Sequence, residues 1–203
     1  MSTLQIKLCG FTRADDARVA VAEGADLIGL VLWAPSPRAV AVDDARRVRE
    51  VVPAGIPLVG VFVDEQPETI DELVAGIGLD RVQLHGAEPA AEILRHGERA
   101  FRGIRDGDAS AVPPGVPVVF DGAFSHSASR DELEAHWAAA RSLGDARPVL
   151  LAGGLDADNV ADAVRAARPF GVDCARGIEA APGIKDHDRL RRFVAAAREA
   201  QKE

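Results

Sequence analysis

Short apolar runs alternate with longer stretches in which apolar residues return every three or four positions. The first run is LQIKLCG (4–10), and TRADDARVAVAEG then carries helical spacing, with Thr12 as its expected N-cap and Gly24 as its stop. ADLIGLVLW (25–33) is apolar without alternation, which suits a strand covered on both faces. The pattern repeats: helix 42–52, strand 57–63, helix 67–78, strand 80–86, helix 88–97 and strand 99–105. It resumes with strand 116–122, helix 130–143, strand 148–154, helix 156–168 capped by Asp156 or Asp158, strand 170–177 and helix 187–200. Between strands five and six lies DGDASAVPPG (106–115), which predicts a fifth helix that is short or absent.

Eight covered strands, each followed by a helix or its remnant, predict an α/β fold: a (βα)8 TIM barrel in one domain over residues 1–203. The alternative, an open doubly wound sheet, lacks its GxGxxG turn, since CGFTRA follows the first strand.

Composition narrows the partners. The net charge of −8 argues against nucleic acid and anionic membranes. Two cysteines make neither a disulfide framework nor a zinc motif, and no His spacing points to a metal. MSTLQIKLCG holds no apolar stretch of signal-peptide length, so the expectation is a cytoplasmic protein. His96, His126, His136 and His187 read as solvated surface residues.

Barrel chemistry sits at the C-terminal strand ends. There the chain places Lys7 and Cys9, Arg38, Asp64 and Glu65, Gln83 and His85, Arg102 and Arg105, Asp121, Gly153 and Gly154, and Asp173, Arg176 and Gly177. Lys7 and Cys9 share a strand face, so Lys7 lies one layer below Cys9 and needs a buried partner, for which Asp173 is the candidate. An ammonium there favours a Cys9 thiolate, which makes Cys9 either a general base or nucleophile, or a small core residue. Cys174 faces the other way and reads as structural. Asp121 is either an acid with a raised pKa or a helix cap. The LAGGL and CARGIEAAPGIKD segments either bind an anion through backbone N–H groups or only turn the chain.

Over nearly its whole length the chain resembles the phosphoribosylanthranilate isomerase family of tryptophan biosynthesis. The resemblance rests on KLCGFTRADDARVAVAEGADLIGLVLWAPSPRAV (7–40), VGVFVD (59–64), VQLHGAE (82–88) and LAGGLDADNVADAVRAARPFGVDCARGIEAAPGIKD (151–186). It implies a cofactor-free barrel that carries out an Amadori rearrangement of an aminoaldose to an aminoketose. Cys9 matches the family's base, Asp121 its acid and Arg38 its carboxylate-binding arginine. Lys7, Gln83, His85 and Asp173 join the substrate site, and Gly153, Gly154, Ala175, Arg176 and Gly177 fall on phosphate-binding loops. The implied partner is a small anionic aminosugar, with the chain as monomer or homodimer.

Two departures stand out. The family's GGTG-containing loop after the acid is replaced by DGAFSHSASRDELEAHW (121–137), and Ala175–Arg176 replace a pair of serines. A relative acting on a different, unphosphorylated or specialised-pathway substrate therefore stays open, as does a non-catalytic binding or assembly subunit.

Overall fold

The computed structural model describes residues 3–105, 107–122, 124 and 128–202; His126 lies outside them. Eight parallel strands close into a barrel in the order β1 to β8: β1 (Gln5–Cys9), β2 (Leu27–Val31), β3 (Leu58–Phe62), β4 (Arg81–Leu84), β5 (Ala100–Ile104), β6 (Val118–Asp121), β7 (Val149–Ala152) and β8 (Gly171–Cys174). The helices are α1 (Ala14–Ala22), α2 (Val42–Val51), α3 (Pro67–Ile77), α4 (Ala90–Arg95), α5 (Arg130–Gly144), α6 (Val160–Ala167) and α7 (His187–Ala200). Among the described residues none lies between β5 and β6, where Pro113 and Pro114 break the chain.

Strand alternation divides the core in two. Ile6, Leu8, Ile28, Leu30, Leu58, Phe62 and Leu84 face outward, into the large cluster under the helices. Leu27, Val59, Phe101, Val119, Leu150 and Ala152 face inward and fill the barrel. The C-terminal ends of the strands lie on top of this plug.

Local details correct the sequence expectations. The N-cap of α1 is Arg13, without a side-chain bond. The Thr12 hydroxyl instead donates to Gly183 O at 2.6 Å, tying the chain start to its end. Gly24 does stop α1: at φ 91° it lets Ala25 N reach back to Ala20 O. Neither Asp156 nor Asp158 caps α6; Asn159 is its N-cap residue, while Asp156 accepts from the amides of Asp158 and Asn159 in the preceding turn. His96 and His136 are buried rather than solvated: His96 pairs with Glu92 of α4, and His136 Nε2 donates to Ala152 O. Two short strands, β9 (Glu179–Ala181) and β10 (Ile184–Lys185), form a hairpin that the sequence pattern does not predict.

No described helix is long and apolar enough to cross a membrane.

Candidate active site

The strands deliver their inward residues to a cavity of about 380 Å³ at the C-terminal end. Its floor is set by β1 and β8. Lys7 pairs with Asp173 in register across the two strands, and Lys7 Nζ donates to Asp173 Oδ2 at 2.8 Å. Lys7 is wholly buried and lies beneath the cavity wall rather than on it. Burial works to discharge its ammonium, but the Asp173 carboxylate prevails and holds the pKa above the ordinary lysine value. Asp173 Oδ1 is buried without a partner among the described residues, and Asp173 lines the cavity.

Cys9 stands one layer higher, in the cavity wall. Its neighbour across the sheet is Gly29, where a Cβ would come within 2.6 Å of the Sγ. The glycine is what makes room for the thiol. Burial pushes the Cys9 thiol up; Lys7 and Lys185 pull the other way without overcoming it. The nearby ammonium groups thus temper the cost of a thiolate, as the sequence suggests, without cancelling the effect of burial. Cys174 packs with the outer core, and burial raises its thiol as well.

Arg38 comes from the loop after β2. Its Nε donates to both oxygens of Glu179, at 2.9 and 3.0 Å, and its Nη2 donates to Glu179 Oε2 at 2.6 Å. Glu179 also receives Lys185 Nζ at 3.0 Å, and Lys185 Nζ donates to Cys9 O at 2.6 Å. Gly10 at φ 77° permits this crossing, since a Cβ there would stand 2.9 Å from Arg38 Cδ. The β9–β10 hairpin thus locks the guanidinium beside Cys9. Sequence reasoning named Arg38 but assigned no part to Glu179 or Lys185; the signal was their spacing within GIEAAPGIK.

Val31, Trp33, Val61 and Val63 line the cavity next to Arg38, an apolar wall of β2 and β3. Gln83 (next to Val61 in register), His85, Arg105 and Asp121 continue the lining. Asp121 ends β6 with its carboxyl partly open to the cavity. Burial and the Asp173 charge raise its pKa to about 6, against the pull of Arg105, Lys7 and Arg176. Burial, with Arg105, Lys7 and Arg102 nearby, pushes His85 down to about 4, so the ring is neutral. Arg102, Asp64 and Glu65 do not join the cavity: Arg102 ion-pairs with Glu88, and Asp64 accepts from Ala87 N.

The loops after β7 and β8 make a glycine-rich part of the wall. Gly153, Gly154, Ala175, Arg176 and Gly177 come together there, with Phe124 from the loop after β6. Arg176 Nη2 donates to Phe124 O at 3.2 Å, and the Phe124 ring packs edge-on against His136. Gly153 touches Gly122 so closely that a Cβ would meet its backbone N at 2.3 Å. Among the described residues no cluster of His, Cys, Asp or Glu could hold a metal ion.

A sequence model described as "N-(5'phosphoribosyl)anthranilate (PRA) isomerase" matches residues 6–196. The chain is 41% identical over 206 residues to the N-(5'-phosphoribosyl)anthranilate isomerase of Halorhodospira halophila, covering 94% of this chain and 95% of that protein. It superposes on the phosphoribosyl anthranilate isomerase structure from Thermotoga maritima with a TM-score of 0.87 at 32% identity, over 97% of this chain and 100% of that one. A second structure of such an enzyme, in complex with reduced 1-(o-carboxyphenylamino)-1-deoxyribulose 5-phosphate, gives 0.82 at 32% identity, with the same coverage. The chain is an isomerase, and it belongs to the N-(5'-phosphoribosyl)anthranilate isomerase family.

Proposed function

We propose that this enzyme converts N-(5'-phosphoribosyl)anthranilate to its 1-deoxyribulose isomer, with Asp121 as general acid and Cys9 as general base. The observation that carries this reading is the lining of one cavity. Arg38 with an apolar wall, a glycine-rich loop pair with Arg176, and Cys9 and Asp121 on different strands all line it. A ligand with an aromatic acid at one end and a phosphate at the other fits that lining. Arg38 is anchored through Nε and Nη2, and its Nη1 carries no hydrogen bond among the described residues, so it is left for the aromatic carboxylate. Val31, Trp33 and Val61 take the ring. Arg176 supplies, with the backbone N–H groups of the two loops, the charge that the missing hydroxyls of the family loop do not.

Asp121, protonated, delivers its proton to the ring oxygen of the ribosylamine. The C1–O bond breaks and C1–N becomes a protonated Schiff base. Cys9, as thiolate, removes the C2 proton, and that electron pair forms the C1–C2 double bond of an enolamine. Proton transfer from the C2 hydroxyl to C1 then leaves the ketone. A carboxyl pushed up to about 6 is an effective donor near neutrality. Lys7 and Lys185 lower the cost of forming the buried thiolate.

The test is turnover of phosphoribosylanthranilate generated in situ, followed by loss of its fluorescence. Wild-type protein should turn it over, and Cys9→Ala and Asp121→Asn should each lower kcat by at least about a hundredfold while remaining folded. A folded wild type without turnover contradicts the substrate; near-full activity in either variant contradicts that residue's role.

A further inference from the structure

The cavity contains an orphaned donor. Gln83 Nε2 lies 2.9 Å from His85 Nδ1. An amide nitrogen only donates, so Nδ1 accepts and the imidazole proton sits on Nε2. That Nε2 is buried and has no hydrogen-bond partner among the described residues. Asp121 Oδ2 lies 3.7 Å away, just beyond hydrogen-bond length. The berth of the ring is cut from β5: a Cβ at Gly103 would stand 2.4 Å from His85 Cγ and Nδ1. The charged groups around the pair are Arg102 and Arg105 on the β5 side, Lys7 on β1, Asp173 on β8 and Arg176 after it. Burial first, and then the cations, keep the ring neutral.

We propose that His85 is a positioning residue for Asp121: its neutral Nε2–H closes onto Asp121 Oδ2 when substrate fills the cavity, and leaves Oδ1 to carry the proton toward the substrate. This rests on the assignment of Asp121 as acid. Donation to Oδ2 is weak while the carboxyl holds its proton. It strengthens as the proton leaves, because the acceptor becomes a carboxylate. The contact therefore favours the transition state over the ground state. Gln83 has a separate part: by donating to Nδ1 it fixes the tautomer that aims a donor, and not a lone pair, at Asp121.

Steady-state kinetics on the full chain with phosphoribosylanthranilate test this. His85→Phe keeps the ring volume and should lower kcat by about tenfold to a hundredfold, with KM within about twofold. Loss of a donor to the ionised carboxyl raises the Asp121 pKa, so the lower limb of kcat/KM against pH should move upward. The substrate phosphate titrates alike in every variant, so the difference from wild type is the readout. His85→Gln, whose amide N–H can take the place of Nε2–H, should recover part of the loss. Gln83→Glu should accept from Nδ1–H, strip the donor from Nε2 and reproduce the loss with the histidine still present; it also serves if His85→Phe does not fold. In an Asp121→Asn background, His85→Phe should cost nothing more. Unchanged kcat with an unmoved limb in His85→Phe, or a full further loss in the Asp121→Asn background, overturns the positioning role while leaving Asp121 as acid. An active Asp121→Asn overturns the acid assignment itself.

Discussion

At the scale of single residues, the site depends on what its neighbours omit. Gly29 has no side chain because Cys9 Sγ occupies that space. Gly29→Ala should displace the thiol, lower kcat more than tenfold and cost about 1–3 kcal/mol of stability, since the added Cβ also crowds the Cys9 backbone; turnover and melting of the purified variant check both. Arg176→Ala should weaken binding of the phosphorylated product by roughly 1.5–3 kcal/mol if the guanidinium makes a charge-assisted bond. Titration calorimetry reads that loss, and unchanged affinity removes Arg176 from the phosphate end. The pH profile follows from two opposed shifts. Asp121 titrates at about 6 and Cys9 above the ordinary thiol range, yet the reaction needs Asp121 protonated and Cys9 ionised. Below pH 6 the competent pair grows as the thiolate forms. Above pH 6 each gain in thiolate is matched by a loss of protonated Asp121. kcat/KM should therefore climb to about pH 6, then level until the Cys9 thiol titrates. A profile that falls steadily from pH 6 to 8 contradicts the assignment.

At the scale of elements, the strands and most helices were legible because burial on both faces leaves continuous apolar runs such as LIGLV of β2. The Lys7–Asp173 pair was legible for the same reason, since period-two alternation put Lys7 inside and closure put β8 beside β1. What was not legible depends on contacts far apart in sequence. Thr12 looks like a cap, but its hydroxyl is committed to Gly183. His136 looks like a surface residue of α5, but that face of the helix packs on β6 and β7, where Ala152 O accepts its proton. The β9–β10 hairpin is too short for a periodicity, and its worth lies in Glu179, which binds both Arg38 and Lys185. Lys185 is buried, so removing the charge that faces it is costly. Glu179→Gln should destabilise the protein by about 3–5 kcal/mol in urea unfolding and raise KM through a loosened Arg38. Stability within 1 kcal/mol of wild type would show that the hairpin does not hold the pair.

At the scale of the whole molecule, the barrel keeps most of its apolar core outside the ring, under the helices, and only a small plug within. The upper end is thereby free to hold titratable groups, and they leave a mark on stability. His85 is depressed to about 4 from an unfolded value near 6.5. A group whose folded pKa is lowered contributes stability that is present above the unfolded pKa and lost as pH falls through the folded one. His85 should thus contribute on the order of 3 kcal/mol to the loss of stability between about pH 6.5 and 4. His85→Phe should flatten that part of the stability curve, as measured by urea unfolding across the range.

The central claim is that one cavity holds the two ends of the substrate apart, with the acid and the base between them. A crystal structure of this protein with reduced 1-(o-carboxyphenylamino)-1-deoxyribulose 5-phosphate tests it most directly. The account predicts the phosphate on Arg176 and the amides near Gly154 and Gly177, and the aromatic carboxylate on Arg38. It also places Cys9 Sγ within about 3.5 Å of C2, the near-attack distance. A ligand that lies in the cavity with its ends exchanged, or with C2 remote from Cys9, contradicts it.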